Sequence, residues 1–169
     1  MMPKHKFIQR SDLNITYHPL VLKLCADDKI KAHQHNASEL LDAQQVTLCI
    51  EQITLSVTID PSDSNRYLLL EKKPLFFLLS QHPAARNTKV HLNIYSNDEC
   101  ESVILGLNLI FPAINHFFTA SMLNNLYCRL KQQHNINTSV ALTKRYLAKL
   151  AQVLPSAIRA RSIKENHRG

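Results

Sequence analysis

Three stretches of this chain carry apolar residues at every second position: Val46, Leu48 and Ile50; Ile53, Leu55, Val57 and Ile59; and Val90, Leu92 and Ile94. A period of two puts alternate side chains on one face of an extended strand, so the chain must build a sheet with at least one covered face. The phase breaks at Glu51-Gln52, which predicts a tight turn or bulge between the first two strands. Asp60-Pro61-Ser62-Asp63-Ser64-Asn65 is turn chemistry, and extended structure resumes over Arg66 to Leu70. A hairpin follows from that order.

Helical spacing appears between and after the strands. Pro74 suits the first position of a helix running to about Gln81. Asn97-Asp98 caps a helix with Val103, Ile104, Leu107 and Ile110 at three- and four-residue intervals, which Pro112 ends or kinks. A longer helix is predicted over Thr119 to Gln133, with Met122, Leu123, Leu126 and Leu130 on one face. In the N-terminal part, Ala37 to Ala43 reads as a short helix capped near Asn36 or Ser38, and Leu20 to Leu24 is a short apolar run without a clear period. The expected fold class is therefore α+β, a small mixed sheet with helices followed by a C-terminal helical region. The expected division is an N-terminal extension over 1–36, an α/β domain over 37–115 and a helical DNA-binding region over 116–169.

Charge locates the partner. The chain has a net charge of +7. From Val140 to Gly169 it carries Lys144, Arg145, Lys149, Arg159, Arg161, Lys164 and Arg168 against the single acid Glu165. The other 139 residues hold 13 basic and 12 acidic side chains, so almost all the excess lies at one end. Lysine and arginine clustered in this way gain affinity for a polyanion by releasing counterions from its phosphates. The segment also has helical spacing, with Leu147, Ala148, Leu150 and Ala151 on one face, Val153-Leu154-Pro155 as an interruption, and Ser156 before Ile158 and Ile163. Two short helices joined by a tight turn resemble the helix-turn-helix motif, whose second helix enters the major groove. Ala148 would take the small position where the helices cross, although Gln152 stands where glycine is usual and Arg161 where an apolar residue is preferred. The motif implies that Ser156, Arg159, Arg161 and Lys164 face DNA, with Lys144, Arg145 and Lys149 on phosphate.

The run from Gln52 to Asn108, with its strand, polar turn, second strand, charged box and helix, resembles the N-terminal domain of the ParB and sulfiredoxin-like superfamily. The resemblance extends over roughly residues 38–163 and rests on the order of elements. Glu71, Lys72 and Lys73 fall where that family has the Glu-Arg-Arg of its first box, with Leu70 in place of the glycine. Asn108 falls on the asparagine of its second box, with Leu107, Leu109 and Ile110 replacing the other box residues. In ParB proteins these boxes hold cytidine triphosphate and magnesium. The replacements, and a chain with only Gly106 and Gly169 to let a backbone approach phosphate, weigh against nucleotide binding and hydrolysis. No cysteine lies near Glu71 to Lys73, so sulfiredoxin activity is not carried over. The resemblance implies a DNA-binding accessory protein of partition or regulatory type, on a bacterial plasmid or other mobile element, without a cofactor and more a binder than an enzyme. Expected partners are DNA, a second copy of the chain in a homodimer, and a protein.

Two other classes compete with this reading. One is a secretion or assembly chaperone whose body binds protein and whose basic end is incidental. The other is a ParB-like nuclease or nucleotidase using Glu71, Asp98, Glu99 and Glu101. His33 and His35, near Asp27 and Asp28, supply at most half a tetrahedral metal site, so no metal is expected. Cys25, Cys49, Cys100 and Cys128 lie far apart without a C-x-x-C pair and are expected to be free, mostly buried thiols of a cytoplasmic protein. The N-terminus has basic residues but no apolar stretch behind them, and no run could cross a bilayer, so neither secretion nor a membrane is expected. Leu75 to Leu79 and Phe117-Phe118 are expected in the core, or at a dimer seam.

Overall fold

The alternating segments build a sheet, as their period requires, but the first of them does not belong to it. In this computed structural model, which describes residues 2–28, 41–114, 120–136, 142–151 and 153–160, five strands pair in the order β1-β5-β3-β4-β2. They are β1 (Lys4–Gln9), β2 (Asn14–Tyr17), β3 (Thr54–Asp60), β4 (Asp63–Leu69) and β5 (Lys89–Tyr95). The β1–β5 and β3–β4 pairs are antiparallel, and the β2–β4 and β3–β5 pairs are parallel. The expected mixed sheet of an α+β fold is therefore present.

Val46, Leu48 and Ile50 do not form a strand. They lie on α2 (Ala43–Glu51), whose N-terminus is closed by a capping box: the Asp42 carboxylate accepts from the Gln45 amide at 2.8 Å and the Gln45 side chain accepts from the Asp42 amide at 3.0 Å. On a helix, Val46 and Ile50 are one turn apart and both are fully buried, whereas Leu48 is 60% exposed. The alternation there is a coincidence of composition. The pattern i, i+4 was the one that packing used. Most of the helix expected over residues 37–43 lies outside the described residues.

The hairpin is tighter than its six polar residues suggest. Asp60 pairs with Asp63, leaving Pro61-Ser62 as the turn. The Asp60 carboxylate accepts from the amide and hydroxyl of Ser62 at 2.8 and 2.7 Å and from Arg66 Nε at 2.7 Å. Those bonds, the two from Ser62 foremost, hold its pKa below the ordinary carboxylate value.

Residues 4–17, expected to be part of an extension, supply both edge strands of the sheet. Strand β1 is exposed at five of its six residues, so it offers no apolar alternation to read. Its Lys4 and Lys6 put charge along an unpaired edge, where it discourages pairing with another chain. Helices α1 (Pro19–Leu24) and α3 (Pro74–Leu79) begin at prolines, whose missing N–H costs nothing in a first turn.

The chain divides into two compact units, Met1–Leu22 with Ile30–Ile104, and Lys23–Lys29 with Leu105–Gly169. The first has its core in Val46, Ile50, Leu55, Val57, Leu69, Phe76, Leu79, Val90 and Leu92, all within 1% of complete burial. Leu75, by contrast, is 55% exposed. Ser96 rather than Asn97 or Asp98 starts the next helix, sharing a capping box with Glu99 ahead of α4 (Cys100–Leu105).

In the second unit, Pro112 does not stop the chain. A π-helical turn over Gly106–Ile110 precedes α5 (Phe111–Ile114), which carries Pro112 in its interior. Widening the helix by one residue is a common way to seat a residue that cannot join the regular ladder. The predicted long helix is α6 (Ala120–Ile136), with Leu126 and Leu130 buried. The last α-helix among the described residues is α7 (Lys144–Leu150). Phe117 and Phe118 lie outside the described residues. All four cysteines are free, but Cys49 is exposed and Cys128 half-buried, so only Cys25 and Cys100 match the buried expectation.

Candidate functional site

The charged box follows β4. Glu71 reaches Lys73 at 3.2 Å, and its own side chain is only 15% exposed. Burial pushes the Glu71 carboxyl above its ordinary pKa, with Lys73 and the Ser56 hydroxyl opposing. Lys72 Nζ stands 4.4 Å from the ring centroid of Tyr17, at the end of β2. Beside Tyr17, His18 donates its backbone N–H to Leu69 at 3.0 Å, and its Nδ1 accepts from the Leu20 amide at 3.1 Å. The parallel β2–β4 pair thus gathers Tyr17, His18, Glu71 and Lys72 at its C-terminal end.

This box does not fit a triphosphate. The Lys73 charge is already met by Glu71, and Lys72 lies on an aromatic face. The Leu70 amide donates to the Ser56 carbonyl at 2.9 Å, and Pro74 has no N–H at the start of α3. A phosphate cradle needs converging free amides, and neither of these two positions supplies one. Gly106 offers none either: a Cβ placed on it would meet nothing within 4 Å, so no close backbone approach accounts for this glycine.

Asn108, the second-box residue, is buried inside the second unit. Its side-chain oxygen accepts from Cys25 Sγ at 3.8 Å, and its carbonyl accepts from Arg129 Nη1 at 2.7 Å. That carbonyl is four residues before Pro112, which brings no N–H to it. Arg129 also binds Asp28, with Nη2 to Oδ2 at 2.7 Å and Nε to Oδ1 at 3.1 Å, and the two side chains are 10% and 3% exposed. Burial opposes the guanidinium charge, but Asp28 and Cys25 more than offset it and the pKa is raised. Gln132 holds the neighbouring Asp27 at 2.7 Å. Both aspartates are therefore engaged in the protein; His33 and His35 lie outside the described residues. Arg129 was overlooked in sequence, yet a signal exists. It shares the apolar face of α6 with Leu126 and Leu130, and an arginine there requires a buried acceptor.

The carboxylates considered for a nuclease do not gather. Glu99 is bound to Ser96 at 2.9 Å, Asp98 is exposed, and among the described residues no group of three or more metal-ligating side chains forms a cluster. Burial, chiefly, raises the Cys100 thiol pKa next to them.

The basic segment has one folded face. Thr143 caps α7 by accepting from the Tyr146 amide at 3.2 Å. Leu147, Ala148 and Ala151 are buried, as are Leu142 and Ile158. Arg145 and Lys149 are exposed on the opposite side with Tyr146, 46% exposed, between them in sequence; Lys144 is half-buried. Described residues 142–160 contain no acid.

Ser156 does not cap a second α-helix. Pro155–Ala157 is a single 3-10 turn, closed by Ala157 N–H to the Leu154 carbonyl at 2.8 Å and Ile158 N–H to the Pro155 carbonyl at 3.3 Å. Ile158 then leaves helical geometry at φ −85°, ψ 88°, with its side chain fully buried. Burying that side chain takes precedence over continuing the helix. Ser156 and Arg159 are exposed, and Gln152, Arg161, Ile163 and Lys164 lie outside the described residues.

No protein-family model matches the chain, and no curated protein does. A solved structure of a C-terminally truncated chromosome-partitioning protein ParB from Caulobacter crescentus, complexed with CTP-gamma-S, is similar at 10% identity, over 92% of this chain and 74% of that one, with a TM-score of 0.36. A score that low carries no inference about fold or chemistry. No helix among the described residues is long and apolar enough to cross a membrane.

Proposed function

We propose that this chain is a DNA-binding accessory protein of partition or regulatory type that grips the phosphate backbone through its basic C-terminal segment. The observation that carries the reading is the acid-free surface of α7, where Arg145 and Lys149 are exposed and the apolar residues of the same helix are buried. The fold itself thus presents those charges outward. Exposed Arg and Lys on a rigid helix release counterions from phosphate, and Tyr146 between them can lie against a sugar or base. Arg159 extends the basic surface beyond the turn. No groove-reading helix is invoked, because Ser156 lies in the middle of the 3-10 turn Pro155–Ala157.

The test is fluorescence anisotropy of labelled duplex DNA with the full chain and with an Arg145→Gln, Lys149→Gln double variant. Both side chains are exposed, so the fold is retained. Binding should weaken about tenfold or more at low salt, as the loss of two phosphate contacts predicts. Equal affinity of the two proteins would overturn the proposal.

A further inference from the structure

We infer that the first unit carries a binding site for a phosphate dianion, free or as a monoester, built by Arg10, Ser80 and Arg86. Three segments meet there: the 3-10 turn Arg10–Asp12 that follows β1, the residue that ends α3, and the 3-10 turn Pro83–Asn87. They enclose a pocket of about 430 Å³ lined by Arg10, Ser11, Ser80 and Arg86, none of them acidic.

Two of its lining residues each hold a buried donor without a hydrogen-bond partner among the described residues, Arg10 Nε and Ser80 Oγ. Donors withdrawn from water are ordinarily paired, so an exception is a place where a bound acceptor would be stabilised. The rest of the Arg10 side chain is fixed in place. Nη1 donates to the Leu13 carbonyl at 3.3 Å, the guanidinium lies 5.6 Å from the Phe76 ring centroid, and the backbone N–H donates to Thr88 at 2.9 Å. Its Nε–H is therefore held in a preset direction instead of sweeping through solvent.

The surroundings favour an anion. Arg86 is exposed and brings a second positive charge. Carbonyls at the end of α3 would oppose an anion if bare, but those of Phe76, Leu78 and Leu79 accept from Ser80, Gln81 and His82 at 2.9, 3.2 and 3.1 Å. The Ser11 hydroxyl donates to Asp12 at 2.9 Å, so the ligand's donors are Arg10, Ser80 and Arg86. Two guanidinium charges and a hydroxyl match a tetrahedral anion carrying two negative charges better than a singly charged diester. The pocket exceeds a phosphate in volume, which leaves room for an esterified group.

Calorimetric titration of the full chain at constant ionic strength tests this, with inorganic phosphate, phenyl phosphate and dimethyl phosphate as probes. Inorganic and phenyl phosphate should bind, the tighter of the two identifying a free or an esterified source, and dimethyl phosphate should bind about tenfold more weakly or not at all. Arg86→Gln and Ser80→Ala should each weaken phosphate binding about tenfold, the first without disturbing the fold because the side chain is exposed. Phosphate should also shift the Nε–H resonance of Arg10. No binding by the unaltered chain, unchanged affinity in Arg86→Gln, or equal binding of the diester would overturn the site.

Discussion

The Arg129 guanidinium donates at 2.7 Å to the carbonyl of Asn108, four residues before Pro112, while the same group holds Asp28. A single side chain thus ties the π-turn to a buried carboxylate and neutralises that carboxylate. Arg129→Met should destabilise the fold by about 3–5 kcal/mol, because it strands the Asp28 charge. Arg129→Lys should recover only part of the loss, since a point charge cannot make both sets of bonds. Urea denaturation measures the differences, and a loss below 1 kcal/mol for Arg129→Met would refute the argument.

Helix α2 discriminates between a strand and a helix by substitution. Ile50 is fully buried and Leu48 is 60% exposed. Ile50→Ala should cost about 2–5 kcal/mol. Leu48→Ser should stay within about 0.5 kcal/mol, as surface changes do. Asp42→Ala, which removes the capping box, should cost about 1 kcal/mol. Comparable losses at Leu48 and Ile50 would instead indicate a strand with both on one buried face. Denaturant midpoints suffice to decide.

The turn after β2 should respond to acid. Burial lowers the His18 pKa below 6.5, with Asp60 opposing. A lowered pKa means the unfolded chain takes up the proton first, so this residue's contribution is complete above pH 6.5 and declines as pH falls through the folded value. Protonation also removes the Nδ1 acceptor that receives the Leu20 amide. His18→Asn keeps an acceptor without a titrating group. Below pH 6.5 the stability gap between the native protein and this variant should therefore shift in the variant's favour. A gap independent of pH would count against it.

Salt should report on the α7 face. The slope of log affinity for DNA against log salt should fall in magnitude by about 0.9 for each of Arg145→Gln and Lys149→Gln, one counterion per phosphate contact. Anisotropy across a salt series gives the slopes, and identical slopes would exclude both residues from the interface.

What could be read in the sequence was whatever had a buried face and a partner nearby in the chain. Strands β3 and β5 were readable because Leu55, Val57, Val90 and Leu92 pack into the core at alternate positions, and the Pro61-Ser62 turn is encoded within a few residues. Strand β1 was invisible because an exposed edge imposes no period, and β2 is only four residues long. Val46 and Ile50 fit both periods, and the cap at Asp42 favours the helix. Ser156 looked like a helix cap because the burial of Ile158, which closes the turn, depends on packing that no local pattern announces. The pocket joins Arg10 to Ser80 and Arg86, 70 and 76 positions further along the chain, so spacing could not suggest it. Arg145 and Lys149 were legible as charge, and the fold adds that they share one exposed side of a helix.

The pairing of β1 with β5 carries a consequence for how the chain acquires its structure. Lys4 lies against Ile94 and Gln9 against Lys89, so the first strand made waits for the last. The β3–β4 hairpin can close early across its two-residue turn, whereas β1 must hold its place as an open coil until most of the first unit has emerged. Its lysines suit that wait, helping to keep a nascent strand soluble while its neighbour is still being made.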